Sequence, residues 1–292
     1  MDSQNIKAFL SVVENRSFSK AADHLHLTQP AISKRVQALE QELGVPLFDR
    51  SQRKAVLSEA GVVFAEKAKR IMREMTNAEN AVKNIGNTVQ GSIKVICSHH
   101  AGLHRLPLVL KQYTQRYPQV SLELRFLESE KAYQEILKNQ ADLAFITIHQ
   151  RTDSQLEEHL LWDDPMSLVC SGEHALAHSQ DLKLEDLQYF EAILPAEGTY
   201  TYELISNLFA KAGLELKATM PTNYLETIKM MVSAGLGWSM LPNTMVDEHL
   251  HVLNLPETRV TRHIGAVSYK SRITSNAALA LIEAAKEVWG ER

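Results

Sequence analysis

Only two cysteines, Cys97 and Cys170, occur in 292 residues, which excludes a disulfide-stapled scaffold and any metal site built from closely paired cysteines. No apolar run approaches the roughly 20 residues that a membrane-spanning helix needs. The amino terminus lacks the charged segment and apolar core of a secretory leader. A soluble, cytoplasmic protein with no membrane partner is therefore expected. The net charge is −4, too small an excess of either sign for a polycation that coats nucleic acid, so any such contact must be local. No Ser-His-Asp order, phosphate-loop glycine pattern or paired carboxylates stand at a strand-helix junction, and neither an enzyme nor a cofactor is expected. What the chain does have is a 45% hydrophobic fraction, enough for two or three compact units.

The most informative stretch is 17–40. Small apolar residues Ala21, Ala22 and Leu25 predict one short helix that packs closely on another. After His26 a second helix begins, with Thr28 as its N-cap and Pro30 in the first turn, where a missing N–H costs nothing. Ala31, Ile32, Val36 and Leu39 face inward, while Gln29, Ser33, Lys34 and Gln37 point outward beside Arg35. Amides, hydroxyls and cations together suit base edges and phosphates, and two such helices form a helix-turn-helix with the recognition helix second. Residues 1–60 hold eight Lys or Arg against seven acids, so position matters more than total charge. Beyond Leu47-Phe48, the cations Arg50, Arg53 and Lys54, followed by the alternating Ala55-Val56-Leu57-Ser58, predict a two-stranded wing with a basic tip for the minor groove or phosphates.

This region resembles the winged helix-turn-helix of the LysR-type transcriptional regulators. The matching residues are Phe9, Phe18, Ala21, Ala22, Leu25, Gln29 to Ser33, Leu39, Glu40, Leu43, Gly44, Leu47, Phe48, Arg50 and Ser58-Glu59-Ala60-Gly61. The resemblance implies double-stranded operator DNA as a partner, a small-molecule effector, assembly as a homodimer or homotetramer, and a two-lobed, periplasmic-binding-protein-like sensor domain of α/β class behind the helix-rich DNA-binding domain. The expected domains are 1–61, a linker at 62–90 and a sensor at 91–292, with lobe I near 91–162 and 266–292 and lobe II near 163–265.

From Ser58, a plausible cap, a long helix carries Phe64, Ala68, Ile71, Met75, Ala78, Val82 and Ile85 at alternating steps of four and three. That is a coiled-coil seam, which a lone helix cannot bury, and it predicts dimerisation. Glycines at 86 and 91 mark a hinge. Beyond it strands and helices alternate, predicting a mainly parallel sheet covered by helices, with a single helix over 103–117, a strand at 167–170 and a long strand at 260–269.

In α/β sheets ligands collect where strands end and helices begin. Three such junctions supply candidate effector residues: Ser98, His99, His100 and Ala101 after the first sensor strand; Ala196, Thr199, Tyr200 and Thr201; and Asn223 with Tyr224. Thr147 adds a hydroxyl from the opposite side. Hydroxyls and free N–H groups suit a small anion, to which a charged His100 would add attraction. His100 and His104 stand at i, i+4 beside His99, but no third ligand lies close in sequence and no metal is expected. Readings left open are a transport-type solute-binding protein, a redox- or metal-responsive regulator, and an enzyme with an appended DNA-binding domain.

Overall fold

A computed structural model describes residues 1–49, 55–85, 88–149, 153–216, 218–255 and 258–290. The chain divides into two compact units, Met1–Lys83 and Asn84–Arg292.

The first unit contains helices α1 (Ser3–Asn15), α2 (Phe18–His24), α3 (Gln29–Leu43) and α4 (Glu59–Lys83). Thr28 caps α3 by accepting the Ala31 N–H at 3.4 Å, and Gly44 ends it in the left-handed region at φ 71°. Between α2 and α3 the backbone N–H of Leu27 returns to the Ala22 carbonyl at 2.9 Å, a tight reversal that puts His26 at φ 53°. Phe9 is the centre of the core, its ring 5.5 Å from Phe48 and 5.2 Å from Phe64. Glu40 ties the end of α3 to the next segment by accepting the N–H groups of Leu47 and Phe48. Phe48 pairs antiparallel with Leu57, and Asp49 N–H reaches the Val56 carbonyl at 2.8 Å, so the base of the wing is two-stranded as read; its tip, Arg50, Arg53 and Lys54, lies outside the described residues.

The second unit is built on one mixed sheet of strands β1 (Gly91–Cys97), β2 (Val120–Phe126), β3 (Leu143–Thr147), β4 (Leu156–Ser171), β5 (Ser239–Pro242), β6 (Leu250–Val252) and β7 (Val260–Tyr269), ordered β2-β1-β3-β7-β4-β5 with β6 on β4. Its helices are α5 (His99–His104), α6 (Leu106–Arg116), α7 (Ser129–Leu137), α8 (Tyr200–Lys211), α9 (Leu225–Ser233) and α10 (Asn276–Gly290). The expectation of a mainly parallel sheet needs correction: β1 pairs parallel with β2 and β3, but the ladders of β3 with β7 and of β4 with β5, β6 and β7 are antiparallel. The long β4, read from sequence as 167–170 alone, also carries polar residues whose partners come from β7, so its first half shows no simple alternation. The single helix expected over 103–117 is two, broken at Arg105, because Pro107 disfavours continuous helix through the preceding turn.

Two sets of apolar side chains lie along β4 and β7. One surrounds Ile93, Phe145, Trp162, Ile264 and Leu281, the other Met166, Leu187, Phe209, Trp238 and Leu253. Both strands cross from one core to the other, Trp162 and Ile264 on one side and Met166 and Val260 on the other. The two lobes are thus joined by a pair of hydrogen-bonded strands.

Candidate functional site

In the first unit, Thr28, Gln29, Pro30, Lys34 and Gln37 are exposed and Ser33 is half-buried. At about 100° per residue, Gln29, Ser33 and Gln37 fall on one stripe that flanks the buried Ile32, Val36 and Leu39. Gln29 Nε2 donates to Ser33 Oγ at 3.3 Å, which holds the amide along the helix. Arg35 lies on the other flank of the buried stripe, and its guanidinium donates to Gln4 Oε1 of α1 at 3.3 Å. That bond braces α3 against α1. A hollow of about 940 Å³ lies against Gln37, Glu40 and Leu57. It is broad and open, and of its lining carboxylates, Glu40, Asp49 and Glu59, the first is already committed to backbone N–H groups.

The predicted seam on α4 divides. Ala68 is fully buried, which corrects it from a partner contact to a core residue, while Phe64 and Ile71 are half-buried against the core of their own unit. Met75, Val82 and Ile85 are exposed, the last two by 68% and 78%, and Ala78 is exposed beside them.

In the second unit a cavity of about 60 Å³ opens between the lobes. Of the predicted residues, Ser98, His99, His100, Thr147, Thr199, Thr201 and Asn223 line it. Ala101 does not: it is fully buried in the core of its lobe, since the fourth residue of this junction turns under the helix. Ala196 serves through its backbone N–H, which donates to Asn223 Oδ1 at 3.0 Å. Tyr200 and Tyr224 also stand aside, Tyr200 packed on His149 with ring centroids 4.3 Å apart and Tyr224 edge-on to His99 at 4.8 Å.

The structure adds lining residues that the sequence reading missed, among them Glu128, Ser129, Glu130 and Arg262. The first three stand at a strand-helix junction like the others, hidden because the apolar spacing of α7 begins only at Ala132. Arg262 stands between Thr261 and His263 on β7, and nothing in that spacing marks its side chain as turned inward. Its Nε and Nη2 reach Asp164 Oδ2 at 2.9 and 2.5 Å, and Nη1 donates to Thr201 Oγ1 at 3.3 Å. Asp164 is fully buried and Arg262 is 3% exposed. Burial opposes the Asp164 charge, but the neighbouring His100 ring and the Arg262 guanidinium outweigh it and hold the carboxyl well below its ordinary range. Burial first, then Arg262 and His104, lower the pKa of His100 despite Asp164. His100 is therefore neutral at neutral pH, which corrects its expected role as a positive charge.

Several polar groups bridge the lobes. Glu130 Oε1 accepts the Tyr200 N–H at the start of α8 at 2.6 Å, His104 Nε2 lies 3.0 Å from Glu226 Oε1, and His149 Nε2 lies 3.1 Å from Glu203 Oε2. Ser98 precedes α5 without making a side-chain cap bond, so its hydroxyl is available to the cavity. Cys97 and Cys170 are buried in different cores, and burial pushes their thiols up to about 12 and about 11. No helix among the described residues is long and apolar enough to cross a membrane.

Comparison with known proteins agrees with both units. Residues 3–62 match the bacterial regulatory helix-turn-helix protein of the lysR family, and residues 86–290 match the LysR substrate binding domain. A probable RuBisCO transcriptional regulator of Synechocystis sp. is 28% identical over 289 residues, covering 95% of this chain and 83% of that protein. Among solved structures, a full-length OxyR variant of Pseudomonas aeruginosa superposes with a TM-score of 0.73 at 21% identity, covering 98% of this chain and 95% of its own, a likeness of fold. HinK, a LysR family transcriptional regulator of the same organism, gives 0.60 at 25% identity over 100% of this chain and 99% of its own. With a helix-turn-helix bearing a polar stripe, a two-lobed unit enclosing a polar cavity, and both family domains spanning nearly the whole sequence, the chain belongs to the LysR family and is a ligand-responsive, DNA-binding transcriptional regulator rather than an enzyme.

Proposed function

We propose that this regulator works in the cytoplasm as a homo-oligomer, reads operator DNA through Gln29, Ser33 and Gln37, and responds to a small carboxylate-bearing metabolite held between Ser98 on one lobe and Thr199 to Thr201 on the other. The observation that carries the effector reading is the interlobe cavity itself, where an uncommitted Ser98 hydroxyl faces Thr201 and the Arg262 guanidinium. Its volume of about 60 Å³ favours a compact ligand. The opposite wall carries Glu128 and Glu130, so a plain anion would meet like charge there. A ligand that also bears a hydroxyl or ammonium group would satisfy both walls, and the anion expected from sequence is narrowed to a hydroxy- or amino-carboxylate. Closure over such a ligand biases the lobes, and through the oligomer the spacing of the DNA-binding heads.

The test is a thermal-shift and calorimetry series on the full-length chain with simple, hydroxy- and amino-carboxylates. A saturable shift from one of the latter two, lost in Ser98→Ala and Thr199→Val, is expected. Equal shifts in wild type and both variants would place the effector elsewhere. On DNA, Gln29→Ala should lose about 1–3 kcal/mol of base discrimination with little change on random duplex.

A further inference from the structure

The pair His100 and His104, which sequence spacing left without a third ligand, acquires one in the fold. Glu226, near the start of α9 on the other lobe, brings a carboxylate oxygen to them, and the candidate donor atoms of His100, His104 and Glu226 all lie within 4.8 Å of one another. Three donors bound to a tetrahedral zinc-like ion, at about 2.0–2.2 Å each, are separated by about 3.3 Å. The distance of 3.0 Å between His104 Nε2 and Glu226 Oε1 already has this size, and small side-chain rotations bring in the third. His100 itself is 5% exposed, yet neither ring nitrogen has a well-directed hydrogen bond among the described residues. Its Nε2 lies 3.3 Å from Asp164 Oδ2, at an angle too poor for a full bond. A buried, neutral imidazole without a proper partner costs free energy, and a carboxylate at this distance from a ligating histidine is the usual outer support of a metal site.

We propose that His100, His104 and Glu226 form a three-ligand site for a divalent transition ion of zinc type, with a fourth position open to the cavity, clasping the two lobes. Two imidazoles and a carboxylate are borderline donors that favour zinc, cobalt or nickel over calcium or magnesium. The formal charges nearby balance, Glu226 and Asp164 against Arg105 and Arg262, so affinity would come from coordination rather than from a negative field. Two ligands come from one lobe and one from the other, so the ion would hold the lobes in the closed arrangement. The site needs no organic effector, so it stands or falls separately from the carboxylate reading.

The experiment titrates Zn(II) alone, by calorimetry, into the metal-stripped full-length chain, and repeats the titration with Co(II) followed by visible absorption. His104→Gln and Glu226→Gln are the variants, since both side chains are partly exposed and neither lies in a core; thermal melts of the apo forms check that they fold. One saturable site per chain, a low-symmetry Co(II) spectrum, and affinity at least about tenfold weaker in each variant are expected. Absence of saturable binding would show that His104 and Glu226 are only an ion pair across the cleft, and unchanged binding in both variants would place the ion at other histidines; either result overturns the proposal.

Discussion

Gly61 gives the clearest case of a residue whose side-chain absence is required by packing. A methyl group there would lie 2.0 Å from the Leu47 carbonyl oxygen, which is backbone and cannot turn aside. The helix start and the wing strand approach so closely because Ser58 joins them: its hydroxyl donates to the Pro46 carbonyl and accepts the Gly61 N–H at 3.0 Å. Gly61→Ala should destabilise the first unit by about 1–3 kcal/mol through overpacking, seen as a lower urea midpoint with an unchanged slope. The cysteines argue in the opposite sense, from chemistry that burial removes. A thiol whose pKa is raised keeps its proton at neutral pH, and the thiolate is the reactive form. Cys97 and Cys170 should therefore react with a disulfide reagent at neutral pH only as fast as the second unit unfolds, and peroxide should leave the DNA affinity of the native protein unchanged. Fast labelling of either thiol in the folded chain would restore the redox reading that their separate cores argue against.

At the scale of elements, α4 shows how a regular heptad pattern can serve two purposes. Steps of four and three along Phe64, Ala68 and Ile71 are indistinguishable in sequence from those along Met75, Ala78 and Val82. The fold puts the first three on the core beneath α1 and leaves the others in solvent. Substitutions should separate accordingly. Ile71→Asp inserts a carboxylate into a largely apolar contact and should lower the melting temperature of the first unit. Val82→Asp, at a side chain 68% exposed, should leave the melt of the monomer nearly unchanged while shifting the mass measured by light scattering at low micromolar concentration toward monomer. If Val82→Asp keeps the mass of the wild type, the exposed half of the seam is not the oligomer contact. The same element-level logic explains α3, where caps and pattern are legible from local residues, and the break at Arg105, which Pro107 imposes.

For the molecule as a whole, the junction between lobes rests on a buried charge pair. Asp164 on β4 and Arg262 on β7 are 98 residues apart in sequence and stand at the crossing between the two cores, where Arg262 also reaches Thr201 of α8. Removing one partner strands a buried charge, so Asp164→Asn should cost about 3–5 kcal/mol in chemical denaturation. The double change Asp164→Leu with Arg262→Met should cost clearly less than the sum of the singles, because both charges leave together. Additive losses would mean that the two residues act independently and that the pair is not the pin of the crossing strands.

How much of this was legible follows from the range over which each feature is decided. Thr28, Pro30 and the apolar spacing of Ile32, Val36 and Leu39 act within a few residues, so the sequence alone determined the helix-turn-helix, the start of α4 at Ser58 and the strand 260–269. The strand-helix junctions at Ser98 and Thr199 were legible for the same reason. The antiparallel pairing of β4 with β7, the inward turn of Arg262 and the meeting of Glu226 with His104 across 122 residues left no periodic trace. Only the tertiary structure decided them, because a contact between distant residues depends on which faces the two cores bury and on the register of two crossing strands, and neither is set by the neighbours of any one residue.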